Sequence, residues 1–249
     1  MCIVRPTTRP EPQRHFHIAG SERPRPPARA VIYCDGGTDD QFRPGVDLQL
    51  SHWIPNDTPD RFKADTSTEI CLNFVASGEA HFDLVVNNHA DVDGVLAVFT
   101  LVAGAWALPH RGTLTQAAEM GDFWAWGERP AQALFQSLTV LIRKLQSEKA
   151  DANALYLQCF DRVFSVLAGE SAFHTEPGLT ALSDSVQLVE RGDVARKVLG
   201  ERFAHYVIPR RLAAGAASAR AAWSSRWTLL SPCARRPVGR HDRGVSAHA

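Results

Sequence analysis

Two strongly apolar segments, Phe82-Asp83-Leu84-Val85-Val86 and Val95 to Leu108, flank the polar octet Asn87-Asn88-His89-Ala90-Asp91-Val92-Asp93-Gly94. The first is short and rich in β-branched residues, which reads as a buried strand. The opening part of the second reads as a buried helix. A similar run, Ala30-Val31-Ile32-Tyr33-Cys34, predicts an earlier strand that stops at Asp35-Gly36-Gly37. Between them Thr66-Ser67-Thr68-Glu69 has the form of a capping box. Ile70, Cys71, Phe74 and Val75 continue it as an apolar helical stripe, and Gly78 stops the helix. Strand, helix, strand, helix with short joins predicts an α/β fold: a parallel sheet flanked by helices through right-handed crossovers.

After Pro109 the periodicity turns helical, giving a helix-rich C-terminal half. Helices are expected over 113–120, 130–149, 152–167 and about 179–199, with a last strand over 203–208. Residues 1–29 combine six prolines with many arginines, so a disordered N-terminus is expected there. The α/β domain is then placed at 30–209. An Arg/Ala/Ser-rich tail over 210–249 has no surviving periodic pattern and is expected to be disordered, as a frameshifted end would be.

Formal charge sums to zero, so the composition offers no reason for nucleic acid as a partner, although the basic tail leaves that option open. The five cysteines are scattered without a Cys-x-x-Cys pair, which argues against a disulfide framework and for a reducing cytoplasm. The run from Val95 to Leu108 is too short to cross a bilayer, so no membrane partner is expected.

The octet carries the chemistry. If the strand stays extended through its exit, His89, Asp91 and Asp93 share one face, with Ala90 and Val92 on the other. One imidazole and two carboxylates so close together are relieved by a divalent cation. A mixed nitrogen and oxygen set suits Mn²⁺ best, with Zn²⁺, Fe²⁺ and Mg²⁺ as alternatives. Gly94 allows a sharp turn into the next helix, whose free N–H groups suit phosphate. Asn87, Asn88, Gly94 and His52 are the candidate substrate contacts. Asp35, at the end of a parallel strand, opens on the same edge and is a candidate further ligand.

His89-Ala90-Asp91-Val92-Asp93-Gly94 after an apolar strand resembles the first motif of the DHH phosphoesterase superfamily, which includes manganese-dependent pyrophosphatases, exopolyphosphatases and nucleases. The resemblance implies His89, Asp91 and Asp93 as catalytic metal ligands, with Asp122 of Gly121-Asp122-Phe123 in the place of the next acidic ligand. It further implies hydrolysis of a small phosphorylated substrate, an ester or anhydride, by metal-bound hydroxide. The Asp-His-His signature of that superfamily is absent from this sequence.

Three other readings compete. A non-catalytic relative would bind a phospholigand or partner. A haloacid-dehalogenase-like phosphatase would use Asp91 as nucleophile and Asp93 as general acid. A plain strand-to-helix turn would need Asp and Gly only for capping. Trp124 and Trp126 read as core packing, or as rings that wall the pocket.

Overall fold

A computed structural model describes residues 11–79, 81–123, 125–169, 176–199, 204–209 and 212. Four strands, β1 (His15–Ile18), β2 (Val31–Cys34), β3 (Leu48–Leu50) and β4 (Leu84–Asn87), form a sheet in the order β1-β4-β2-β3. Every neighbouring pair is parallel, with Val31 opposite Leu84 and Ile32 opposite Leu48. The expected α/β class, a parallel sheet flanked by helices, is therefore the observed one.

The octet's helix, α2 (Val92–Ala103), sits at the centre of the packing, and all twelve of its residues are buried. It packs against β1, β2 and β4 of the sheet and against α1 (Ser67–Ser77), α3 (Arg111–Asp122) and α5 (Ala152–Ala168). Such a helix is apolar all round because it has no solvent face. With the 3-10 turn after it and α3, it makes a continuous run, Val92–Asp122, apolar and long enough to cross a membrane. That run is mostly buried inside the protein, as a core helix is. The Thr66 hydroxyl accepts from the Glu69 amide to start α1, and Gly78 closes it in the left-handed conformation, as the capping signals predict. Helix α4 (Arg129–Ser147) packs on α3 and α5.

Three expectations are corrected. Residues 15–29 are not disordered: His15–Ile18 is an edge strand paired with β4. The Arg14 guanidinium just before it is buried and donates to the carbonyls of Leu101 and Glu79 while lying over the Phe74 ring. Tertiary contacts outweigh composition here, and the domain begins near residue 15, not 30. Leu48–Leu50, where no element was expected, is a strand. The helix expected over 179–199 is α6 (Glu176–Glu190), after which Ala195–Val198 (β5) pairs antiparallel with Ala204–Val207 (β6). Residues 1–10 and nearly all of the 210–249 tail lie outside the described residues, as does Trp124.

Parallel strands put their carboxyl ends on one edge, which is where α/β proteins build ligand sites. Here the exits of three adjacent strands, β4, β2 and β3, deliver the octet, Asp35 and Ser51-His52 to the same place.

Candidate metal centre

The octet does not continue as a strand, so the alternating-face argument fails in its details. β4 ends at Asn87, and Asp91 is the N-cap of α2, its Oδ1 accepting from the Gly94 amide at 2.8 Å. Asp93 lies within the first helical turn. His89, Asp91 and Asp93 nevertheless converge, because a second strand exit supplies the group they surround.

That group is Asp35. Its side chain is 1 % exposed, and its backbone has φ of 48°, the left-handed region that non-glycine residues seldom occupy. The Trp53 indole donates to Asp35 Oδ1 at 3.2 Å. Around Asp35 are two sets of ligand-type atoms. Asp35, His52 and Asp93 form an inner set, and Asp35, His89 and Asp91 an outer one, each with its atoms within 4.8 Å of one another. His52 Nε2 is 3.8 Å from Asp35 Oδ1 and 3.8 Å from Asp93 Oδ2. His89 Nε2 is 3.1 Å from Asp35 Oδ2 and 3.2 Å from Asp91 Oδ2. Each oxygen of Asp35 thus faces a different set. Asp122, at the end of α3, extends the inner set, with Oδ2 3.4 Å from His52 Nε2.

Both imidazoles are held by their other nitrogen. His52 Nδ1 lies 2.9 Å from the Asp65 carbonyl, which can only accept, so Nδ1 carries the proton. His89 Nδ1 lies 2.8 Å from the Asn88 carboxamide oxygen and donates to it in the same way. Both Nε2 atoms are left turned towards carboxylates, the arrangement by which proteins orient metal-ligating histidines.

The donor atoms fit a metal on two further counts. Asp35 Oδ2, His89 Nε2 and Asp122 Oδ2 are buried and, despite their close neighbours, make no hydrogen bond of acceptable geometry. Buried polar atoms left so are uncommon and call for an ion or other partner. Ligands about 2.0–2.2 Å from one ion sit roughly 3–4 Å apart, as the nitrogen–oxygen separations here do.

The protonation of the cluster says the same. The Asp35 and Asp91 carboxylates beside Nε2 push the His89 imidazole up to about 10, against the effect of its burial. Burial, followed by the charges of Asp93, Asp91 and Asp35, pushes Asp122 up to about 9. Burial and the Asp35 charge raise Asp93 to about 6, against the pull of Thr68. Burial raises Asp91 too, but His89 and the Gly94 amide outweigh it and hold that carboxyl below its ordinary value. Without a cation the cluster must keep protons to limit repulsion among its carboxylates.

The remaining sequence candidates are supports. Asn87 is buried, and its amide donates to the Tyr156 hydroxyl, which donates in turn to the His89 carbonyl at 2.6 Å. Through Tyr156 it braces the His89 backbone. Asn88 orients the His89 ring. His52 Nε2 lies among the carboxylates of the inner set. Gly94 is required by space: a Cβ there would lie 2.6 Å from Asp35 Oδ2 and 2.7 Å from Asn87 Nδ2. Asp93 has a structural duty too, since its carboxylate accepts from the amides of Ser67 and Thr68 and so joins the start of α1 to the start of α2. Tyr156 had no sequence signal. It lies 67 residues beyond His89, on the buried face of an ordinary amphipathic helix.

A protein-family model described as "Family of unknown function (DUF6687)" matches residues 15–169. The chain belongs to this family. Its matched segment begins at the first residue of β1 and ends at Gly169, the C-cap of α5, so every side chain of the two ligand sets falls inside it. No curated protein and no solved structure matches the chain.

Proposed function

We propose that this DUF6687 protein is a divalent-metal-dependent hydrolase of phosphate esters or anhydrides, with Mn²⁺ the metal best suited to its mixed nitrogen and oxygen donors. The observation that carries the reading is Asp35, a buried carboxylate with one oxygen towards His52 and Asp93 and the other towards His89 and Asp91. A carboxylate shared in this way is how two cations are held a few ångströms apart.

Cations there would lower the pKa of a water and offset charge developing on phosphoryl oxygens. The chain's own residues do the rest. Asn88 and the Asp65 carbonyl fix both imidazoles with Nε2 inward, so little reorganisation is needed on binding. His89 and Asp91 are the more exposed ligands and face the substrate side. Asp122 is placed to accept a proton from a reacting water or to hand one to a leaving group, once a cation has lowered its affinity for that proton.

The same geometry weighs against Asp91 as a covalent nucleophile. One of its oxygens caps α2 and the other faces His89, while both oxygens of Asp93, the general acid of that scheme, are taken by the start of α1. The test is turnover of a panel of phosphoesters with Mn²⁺, comparing wild type with Asp91→Asn. Asparagine keeps the helix cap and removes the charge. We expect at least a hundredfold loss of kcat/KM. No turnover in the wild type with bound metal would leave a phospholigand-binding protein as the better reading, and undiminished turnover in Asp91→Asn would mean that the reaction does not use Asp91 as a metal ligand.

A further inference from the structure

Beside the inner ligand set a cleft of about 460 Å³ opens between the loop after β3 and the segment leading into α1. His52 belongs to both, because it lines the cleft while its Nε2 faces Asp35, Asp93 and Asp122. Ile54, Pro55, Ala64 and Ile70 make the cleft's apolar wall. Ile54 is 84 % exposed, an unusual position for a large aliphatic side chain next to a polar centre. Aromatic rings continue this surface over the ligands. Trp53 lies 5.4 Å from the His89 ring and Phe123 6.1 Å from the His52 ring, and both are about half exposed.

Charge around the site is one-sided. Four carboxylates converge, and among the described residues no lysine or arginine forms an ion pair with any of them. The one cationic side chain lining the cleft, Lys63, is paired with Asp60 at 2.7 Å. Sites for pyrophosphate or polyphosphate need basic groups for the phosphates that the metals do not reach. Here the walls are mainly apolar and aromatic, with Lys63 the single lysine or arginine among the lining residues.

We infer that the cleft is a leaving-group subsite, and that the substrate is a phosphate monoester of an apolar or aromatic alcohol. The inference rests on the proposed hydrolase reading and narrows its substrate class. The phosphate lies at the ligand sets and the alcohol's apolar body lies against Ile54, Pro55 and Ala64. Water forms the new P–O bond as the ester P–O bond breaks, and its proton leaves with the alcohol, so no other reactant is needed.

The experiment compares kcat/KM of the full-length Mn²⁺-loaded chain for 1-naphthyl phosphate, methyl phosphate, pyrophosphate and tripolyphosphate. Wild type is set against Ile54→Ser, which alters only an exposed wall, and Ala64→Leu, which fills the cleft. Metal content and circular dichroism verify each variant. Naphthyl phosphate is expected to be favoured over each of the other three by at least about tenfold, a pocket of this kind being worth roughly that per few methylenes. Both variants should reduce the naphthyl-to-methyl ratio several-fold, chiefly through KM. A preference for pyrophosphate or tripolyphosphate, or a ratio the variants leave unmoved, overturns the subsite. Calorimetric titration with 1-naphthyl phosphate separates the two claims. Binding weakened by Ala64→Leu without any turnover keeps the subsite and removes the hydrolase reading, whereas turnover with an unaltered ratio does the reverse.

Discussion

Asp35 carries more of the site than any other residue, and its setting runs against ordinary stability. It is buried, it adopts a left-handed backbone, and Oδ2 lacks a hydrogen-bond donor. Features of this kind persist where the surrounding structure fixes them, and they gather at functional sites. Gly94 is the complement of Asp35, since only hydrogen fits where α2 begins beneath that carboxylate. Gly94→Ala should therefore leave the fold intact by circular dichroism yet weaken Mn²⁺ binding at least tenfold by calorimetry. Unchanged affinity would show that Asp35 moves aside freely and is not a fixed ligand. The octet was legible as a candidate cation site because three ligand-type side chains, His89, Asp91 and Asp93, fall within five residues. Its geometry was not, because Asp91 and Asp93 converge through a helix start, and sequence spacing alone does not tell an extended exit from a capped one.

At the scale of elements, the site is assembled by joints between secondary structures. Asp93 ties the start of α1 to α2, and Tyr156 of α5 ties both Asn87 at the end of β4 and the His89 carbonyl. Tyr156→Phe removes a buried hydroxyl that serves both, so about 1–3 kcal/mol should be lost in chemical denaturation, together with weaker metal binding. A loss well under 1 kcal/mol would mean that water replaces the hydroxyl and that α5 does not brace the site. The elements with strong patterns, β2, β4 and α1 to α5, were readable from apolar periodicity and caps. β1 and β3 were not. Each is three or four residues long, β1 follows a proline- and arginine-rich stretch, and both are defined by the neighbours they pair with.

For the whole molecule, the metal-free cluster links stability to pH. His89 binds its proton more tightly in the folded chain, so the stabilisation it gives is complete below about pH 6.5 and is lost as pH rises towards 10. Asp122, raised to about 9 by burial, keeps in the folded chain a proton that the unfolded chain has already released, so its cost to stability grows from its ordinary value of 3.8 upward and levels off near 9. Both act in one direction, so the melting temperature of chelator-treated protein should fall from pH 6.5 to 9.5, and Mn²⁺ should restore more of it at the upper end. A flat profile would contradict the crowded carboxylates. The class of the fold followed from alternating strands and helices, but the domain's start did not, because composition is a poor guide where one buried arginine and four paired residues suffice for order. The most direct test of the central claim is metal content per chain, by plasma mass spectrometry after Mn²⁺ loading and dialysis, for wild type and Asp35→Asn. The account predicts close to two ions in the wild type and loss of both sets' occupancy in the variant. No retained metal in the wild type, or equal retention in both proteins, would contradict it.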